Sequence, residues 1–134
     1  MSPYQTILLV EDDKTANFLH RRLFNRVVAA NHIAEAGNGE EALNYLRTHA
    51  TKPENTPLLI LLDIKMPVLD GFEFLQEYER IADKLNPNIR IIMLSSSVSP
   101  IDLARIKSFP RVSGYYTKPL SVETVQKILA DTVS

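Results

Sequence analysis

In Leu58-Leu59-Ile60-Leu61-Leu62-Asp63, five apolar residues run without a polar interruption and stop at an acid. A strand wetted on one face alternates apolar with polar side chains. A run without alternation belongs to a strand covered on both faces, as in parallel sheets. The run is far too short to cross a bilayer. The same pattern recurs on either side of it. Ile7 to Val10 is a continuous apolar run that meets Glu11-Asp12-Asp13, and Ile89 to Leu94 is another, meeting Ser95-Ser96-Ser97. Gly114 to Thr117 reads as a short final strand before Lys118-Pro119, and Val28 to Ala36 as a weaker second strand.

Between these strands the period changes to that of a helix. Lys14 to Arg26 carries Ala16, Leu19, Leu23 and Val27 on one stripe, which predicts that this stripe faces inward. Glu40 to Arg47 reads as a short helix after the Asn38-Gly39 turn, where glycine allows positive φ. Gly71 to Leu85 places Phe74, Leu75, Tyr78 and Ile81 on one face and is broken by Asn86-Pro87-Asn88. Ser99-Pro100, with Asp102 completing a capping box, starts a fourth helix. Ser121 caps a fifth, with Val122, Val125, Ile128 and Leu129 inward. His49 to Pro57 is polar, carries two prolines and reads as a loop. Strands alternating with helices imply an α/β domain. Its expected core is a five-stranded parallel sheet, doubly wound, with five helices on two faces.

Composition narrows the function classes. The 134 residues suit one domain, read here as residues 1–134 with no output domain, and 45% apolar with 23% charged residues is globular composition. The absence of cysteine excludes disulfides, thiolate metal sites and a cysteine nucleophile. A net charge of −1 gives no bulk attraction to nucleic acid or an anionic membrane. The N-terminus lacks the basic start and long apolar stretch of a signal peptide, so a cytoplasmic location is the expectation.

Ligands of open parallel sheets bind beyond the carboxyl ends of the strands. Glu11, Asp12, Asp13, Asp63, Ser95 and Lys118 all fall at that edge. Several of them have a plain structural role available, Asp12 or Asp13 as a helix cap and Lys118 as a surface lysine. Asp63 does not, because a buried carboxylate without a partner costs several kcal/mol. Three carboxylates within about 5 Å repel by a few kcal/mol per pair at an effective dielectric near 20. Either one takes a proton or a hard divalent cation neutralises them. With no histidine or cysteine nearby in sequence, oxygen ligation points to Mg²⁺ rather than zinc. A carboxylate beside Mg²⁺ can ligate only, or can attack a phosphoryl group while a lysine neutralises the transferred oxygens.

These stretches resemble the receiver domain of two-component response regulators across about residues 6–130. The motifs are Leu9-Val10-Glu11-Asp12-Asp13, Asp63-Ile64-Lys65-Met66-Pro67-Val68-Leu69-Asp70-Gly71, Leu94-Ser95-Ser96 and Gly114-Tyr115-Tyr116-Thr117-Lys118-Pro119. The resemblance implies a flavodoxin-like fold and a phosphoacceptor at Asp63. It implies Mg²⁺ ligation by Glu11, Asp12, Asp63 and the backbone carbonyl of Lys65. It makes Ser95 the switch hydroxyl, Tyr115 the switch aromatic and Lys118 the phosphoryl-binding lysine, with a cis bond to Pro119. Asp70-Gly71 forms the turn into the third helix, and Lys65 with Ser97 occupies positions that tune the lifetime of the aspartyl phosphate. The expected partners are a histidine kinase or phosphotransfer protein and a downstream protein target, with no nucleic acid and no membrane. Homodimerisation through the last helix–strand–helix face is left open. The protein is then a self-catalysed phosphoacceptor with autodephosphorylation, not a turnover enzyme. Residues 49–57 look like an insertion at the opposite end of the sheet.

Other readings are weaker. Gly37-Asn38-Gly39-Glu40-Glu41-Ala42 fits the loose dinucleotide fingerprint, but that fingerprint belongs after the first strand of a longer chain. His20, His32 and His49 share no metal-ligand spacing and read as surface or partly buried. Lys65 stands where haloacid-dehalogenase-type phosphatases carry a second aspartate, which removes the general acid. A phosphorylation-independent adaptor on the same fold would lack an acid or the lysine, and none is missing. A phosphatase of free small molecules would turn over more than one equivalent.

Overall fold

The computed structural model describes residues 4–27, 30–97 and 99–130. Within them strands and helices alternate: β1 (Tyr4–Val10), α1 (Lys14–Arg26), β2 (Ala30–Ala36), α2 (Gly39–His49), β3 (Leu58–Asp63), α3 (Gly71–Ile81), β4 (Ile89–Ser95), α4 (Pro100–Lys107), β5 (Val112–Thr117) and α5 (Val122–Ala130). Short 3₁₀ turns occupy Pro53–Asn55, inside the expected loop, and Ala82–Lys84, which finishes the segment read as one helix to Leu85. The expected start of the second strand, at Val28 and Ala29, lies outside the described residues. All strands are parallel, in the order β2-β1-β3-β4-β5.

The alternation of side chains along each strand divides the core into two layers. Leu8, Val10, Leu58, Ile60 and Leu62 face α2, α3 and α4 through Leu46, Phe74, Leu75 and Ile106. Ile7, Leu9, Leu59, Leu61, Ile92 and Leu94 face α1 and α5 through Phe24, Val125 and Ile128. All six residues of β3 are buried, as its unbroken apolar run requires. Each large aliphatic side chain so covered contributes about 1.5–3 kcal/mol.

Register is what builds the site. Val10 pairs with Leu62, Asp63 with Leu94 and Ser95 with Thr117. The strands therefore end nearly level, and Glu11, Asp63, Ser95 and Lys118 come side by side. A bulge between β4 and β5 sets Ile91 opposite Val112 but Ile92 opposite Gly114, which advances β5 by one residue.

Two expectations about local structure need correction. Of the expected stripe on α1, Leu23 and Val27 pack against the core, but Leu19 is exposed and the buried residues are Asn17, His20 and Phe24. The helix turns polar residues inward because Asn17 has a backbone acceptor there and Phe24 fills the α1–α5 layer. Gly39 does not adopt positive φ, and among the described residues no glycine does. Its role is close approach: a Cβ on Gly39 would lie 2.8 Å from the Leu69 carbonyl oxygen, which its own N–H binds at 3.0 Å. The left-handed residue is Val68, at φ 68°, inside a three-residue turn closed by Leu69 N–H to Pro67 O at 2.7 Å.

Candidate functional site

A cavity of about 310 Å³ opens at the carboxyl edge, lined by Glu11, Asp12, Asp13, Asp63, Lys65, Ser95, Ser96, Ser97 and Lys118. Each wall is placed by local sequence. Asp63 is the last residue of β3 and is 7% exposed. Directly after it, Gly71 N–H binds Ile64 O at 2.8 Å, and a Cβ on Gly71 would stand 2.4 Å from the Asp63 carbonyl oxygen. Only glycine lets α3 start this close to the carboxylate. Asp70 caps that helix through a capping box with Glu73. Asp13 caps α1, accepting from Thr15 N–H and Ala16 N–H, which leaves Glu11 and Asp12 as the pair turned to Asp63.

One carboxylate oxygen from each of Glu11, Asp12 and Asp63 lies within 4.8 Å of the other two. Lys118 answers this negative charge. Its Nζ pairs with Glu11 and lies 3.2 Å from Asp63 Oδ2. Burial pulls the Lys118 pKa down, but the hydrogen bond to Glu11 and the charges of Asp63 and Glu11 outweigh it and hold the ammonium above its ordinary 10.5. Asp12 is shifted up from 3.8 by lost solvation, its hydrogen bond with Glu11 and that neighbour's charge, against its own backbone N–H and Lys118. The donor set is all oxygen and Asp12 is exposed, so a hard divalent cation that keeps part of its water shell fits these residues.

The remaining expected residues are placed as follows. Ser95 is buried at the end of β4, and its hydroxyl donates to Ser97 O at 2.6 Å, not to Asp63. Lys118 N–H binds Ser95 O at 2.8 Å, and the Lys118–Pro119 bond is cis. Lys65 and Ser97 line the mouth. Tyr115 is 40% exposed on β5 and is not part of the cavity wall. His32 and His49 are exposed as expected, but His20 is buried, which corrects its reading as surface or partly buried. Sequence reasoning also missed Asn17, whose Nδ2 donates to Glu11 O at 3.0 Å and so fixes the backbone that presents the acids. Asn17 lies off the apolar stripe read from the sequence, so no local signal marked it.

Residues 7–130 match the response regulator receiver domain family. The chain belongs to that family. It is 35% identical over 93% of its length to the probable methanogenesis regulatory protein FilR2 of Methanothrix harundinacea, of which it covers 79%. It is 28% identical over 92% of its length to the probable C4-dicarboxylate response regulator DctR of Bacillus subtilis, of which it spans only half, 50%. Sporulation initiation phosphotransferase F of the same species is 25% identical, with 91% of this chain and 88% of that protein aligned. In three dimensions a two-component response regulator from Cytophaga hutchinsonii superposes with a TM-score of 0.85 over 96% of each chain at 24% identity, a likeness of fold. Among the described residues no helix of this receiver is long and apolar enough to cross a membrane.

Proposed function

We propose that this receiver is a stand-alone response regulator that accepts a phosphoryl group on Asp63 in a Mg²⁺-dependent reaction and signals by protein–protein contact. The observation that carries this reading is the buried Asp63 carboxylate, 3.2 Å from Lys118 Nζ and grouped with Glu11 and Asp12. The donor would be a phosphohistidine on a histidine kinase or phosphotransfer protein. An Asp63 oxygen forms a bond to phosphorus as the phosphorus–nitrogen bond breaks, and the leaving imidazole keeps the electron pair. Bound by Glu11, Asp12, Asp63 and the Lys65 carbonyl, Mg²⁺ would neutralise charge on the carboxylates and the transferred oxygens.

Lys118 already sits against Asp63 and can follow the new charge onto the phosphoryl group. Ser95 must give up its bond to Ser97 O to donate toward that group. Movement of Ser95 frees space into which the exposed Tyr115 can turn, and a tenfold change in population needs about 1.4 kcal/mol of differential stabilisation. The output face is then α4, β5 and α5, the face through which a homodimer would also form. The stand-alone reading is supported by the alignment with 88% of sporulation phosphotransferase F, whereas DctR is about twice as long as the matched stretch. The net charge of −1 supports a protein target rather than nucleic acid, a single phosphoacceptor carboxylate supports a non-turnover role, and a cytoplasmic location goes with a histidine-kinase donor.

The test is labelling by acetyl phosphate with Mg²⁺. Wild type should gain one phosphoryl group, and Asp63→Asn should gain none by intact mass. Equal labelling of that variant would reject the assignment.

A further inference from the structure

α1 turns two polar side chains toward the protein, Asn17 and His20. Asn17 Nδ2 donates to the Glu11 backbone, while its Oδ1 is buried without a partner. His20 is 3% exposed, and among the described residues its ring makes no hydrogen bond. It lines an apolar groove with Leu19, Leu23, Pro119 and Leu120. The ring nitrogens are not sealed from solvent, and a leucine would fill the same space with apolar atoms alone. An imidazole differs from it chiefly in being able to take a proton near neutral pH.

Pro119 and Leu120 are the two residues that follow Lys118, so His20 lines one groove with the turn that carries the ammonium. The charged groups facing His20 from other elements are Lys118, on that turn, and Glu11, at the end of β1. On its own helix, Arg22 and Arg26 border the groove. Burial first and Lys118 second oppose a charge on the ring, and together they place its pKa below the ordinary 6.5. Glu11 favours the charge less strongly, and its carboxylate is already paired with Lys118. A protonated ring would therefore stand beside an ammonium with no carboxylate of its own.

We propose that His20 is a positioning residue for Lys118: the neutral ring backs the Lys118-Pro119-Leu120 turn, and a proton on it drives the ammonium from its place beside Asp63, so that acidification shuts down phosphoryl acceptance. The proposal rests on the reading of Asp63 as phosphoacceptor.

The test compares wild type, His20→Leu and His20→Gln, labelled by acetyl phosphate with Mg²⁺ between about pH 5 and 8, each normalised to its own rate at the alkaline end. Protonation of the donor and of the pocket acids is common to all three, so the ratio of variant to wild type isolates the ring. That ratio is expected to stay flat above the ring's midpoint and to climb toward about tenfold per pH unit below it, as the neutral fraction falls. In parallel, the backbone amide resonances of Lys118 and Leu120 in unphosphorylated wild type should titrate with the His20 ring, and should lose that inflection in His20→Gln. A flat rate ratio overturns the proposal, and so do amides that ignore the ring. If none of the three proteins is labelled at any pH, the Asp63 reading fails instead, and the amides alone decide whether His20 steers the turn.

Discussion

β3 is entered through residues 50–57 and left through residues 64–70, and the two connections are built in opposite ways. The entry satisfies the polar groups of its middle within itself and with the end of α2, and only its two ends, Ala50 O and Pro57 O, accept from Asn86, Gln5 and Thr6 N–H. Lys52 N–H binds His49 O, Asn55 N–H binds Lys52 O, Thr56 N–H binds Pro53 O, and Asn55 Nδ2 binds His49 O. The exit is held from outside. Gly39 N–H reaches across from α2 to Leu69 O, Gly71 must pass close to Asp63, and Val68 is left in the left-handed region with its side chain 71% exposed. Buried charge collects at the exit as well, in Asp63, Glu11 and Lys118. Strain and buried charge are kept where surrounding structure over-determines them and chemistry needs them. The entry carries neither, so it can vary in length and composition with little effect on the pocket.

Substitutions at the two ends sharpen this contrast. Gly71→Ala should cost the most, about 3 kcal/mol, because the new Cβ meets backbone atoms of Asp63 and Ile64 that cannot swing away. Denaturant melts measure it, and a loss under about 1 kcal/mol would show that the exit is softer than its contacts suggest.

Lys118→Met should cost about 2 kcal/mol at neutral pH by leaving Glu11 and Asp63 buried without their cation. Mg²⁺ should restore part of it. The Lys118 pKa is raised in the folded state, so its contribution is complete below 10.5 and lost as pH climbs through the higher folded value. The variant's melting curves should therefore lack that part of the alkaline loss. An unchanged alkaline limb would mean that the ion pair does little for stability.

Val68→Asn should have the opposite sign, a gain of up to about 1 kcal/mol, since asparagine accepts a left-handed backbone that a β-branched residue resists. A loss would mean that the turn at Val68 changes when its side chain does. The smallest effect belongs to the entry, where Lys52→Gln with Glu54→Gln should stay within about 0.5 kcal/mol and leave acetyl phosphate labelling intact. A change in labelling rate would break the contrast between the two connections.

Much of this could be read in the chain alone. The unbroken run at Leu58–Leu62 demanded two covered faces, and the strand–helix alternation then left little besides a doubly wound sheet. The acids, the serines and the lysine could be assigned to one edge because each directly follows a strand. The orientation of α1 could be read only in part. Leu23 and Val27 of its apolar stripe do reach the core, but the helix is rotated away from Leu19 to where Asn17 finds the Glu11 carbonyl and Phe24 is buried. Gly39 was read as a dihedral requirement, whereas the constraint comes from Leu69, a residue thirty positions away.

Local chemistry written along the chain was enough for the class of fold and for which residue types meet the edge, because burial of apolar runs and capping act over a few residues. Folding itself had to supply the strand order, the register that levels Val10, Asp63 and Ser95, and the contact between Lys118 and Glu11 across 107 positions. It also set His20 in one groove with the two residues that follow the lysine. Such contacts depend on how whole layers pack against each other, and no window of neighbouring residues carries that information.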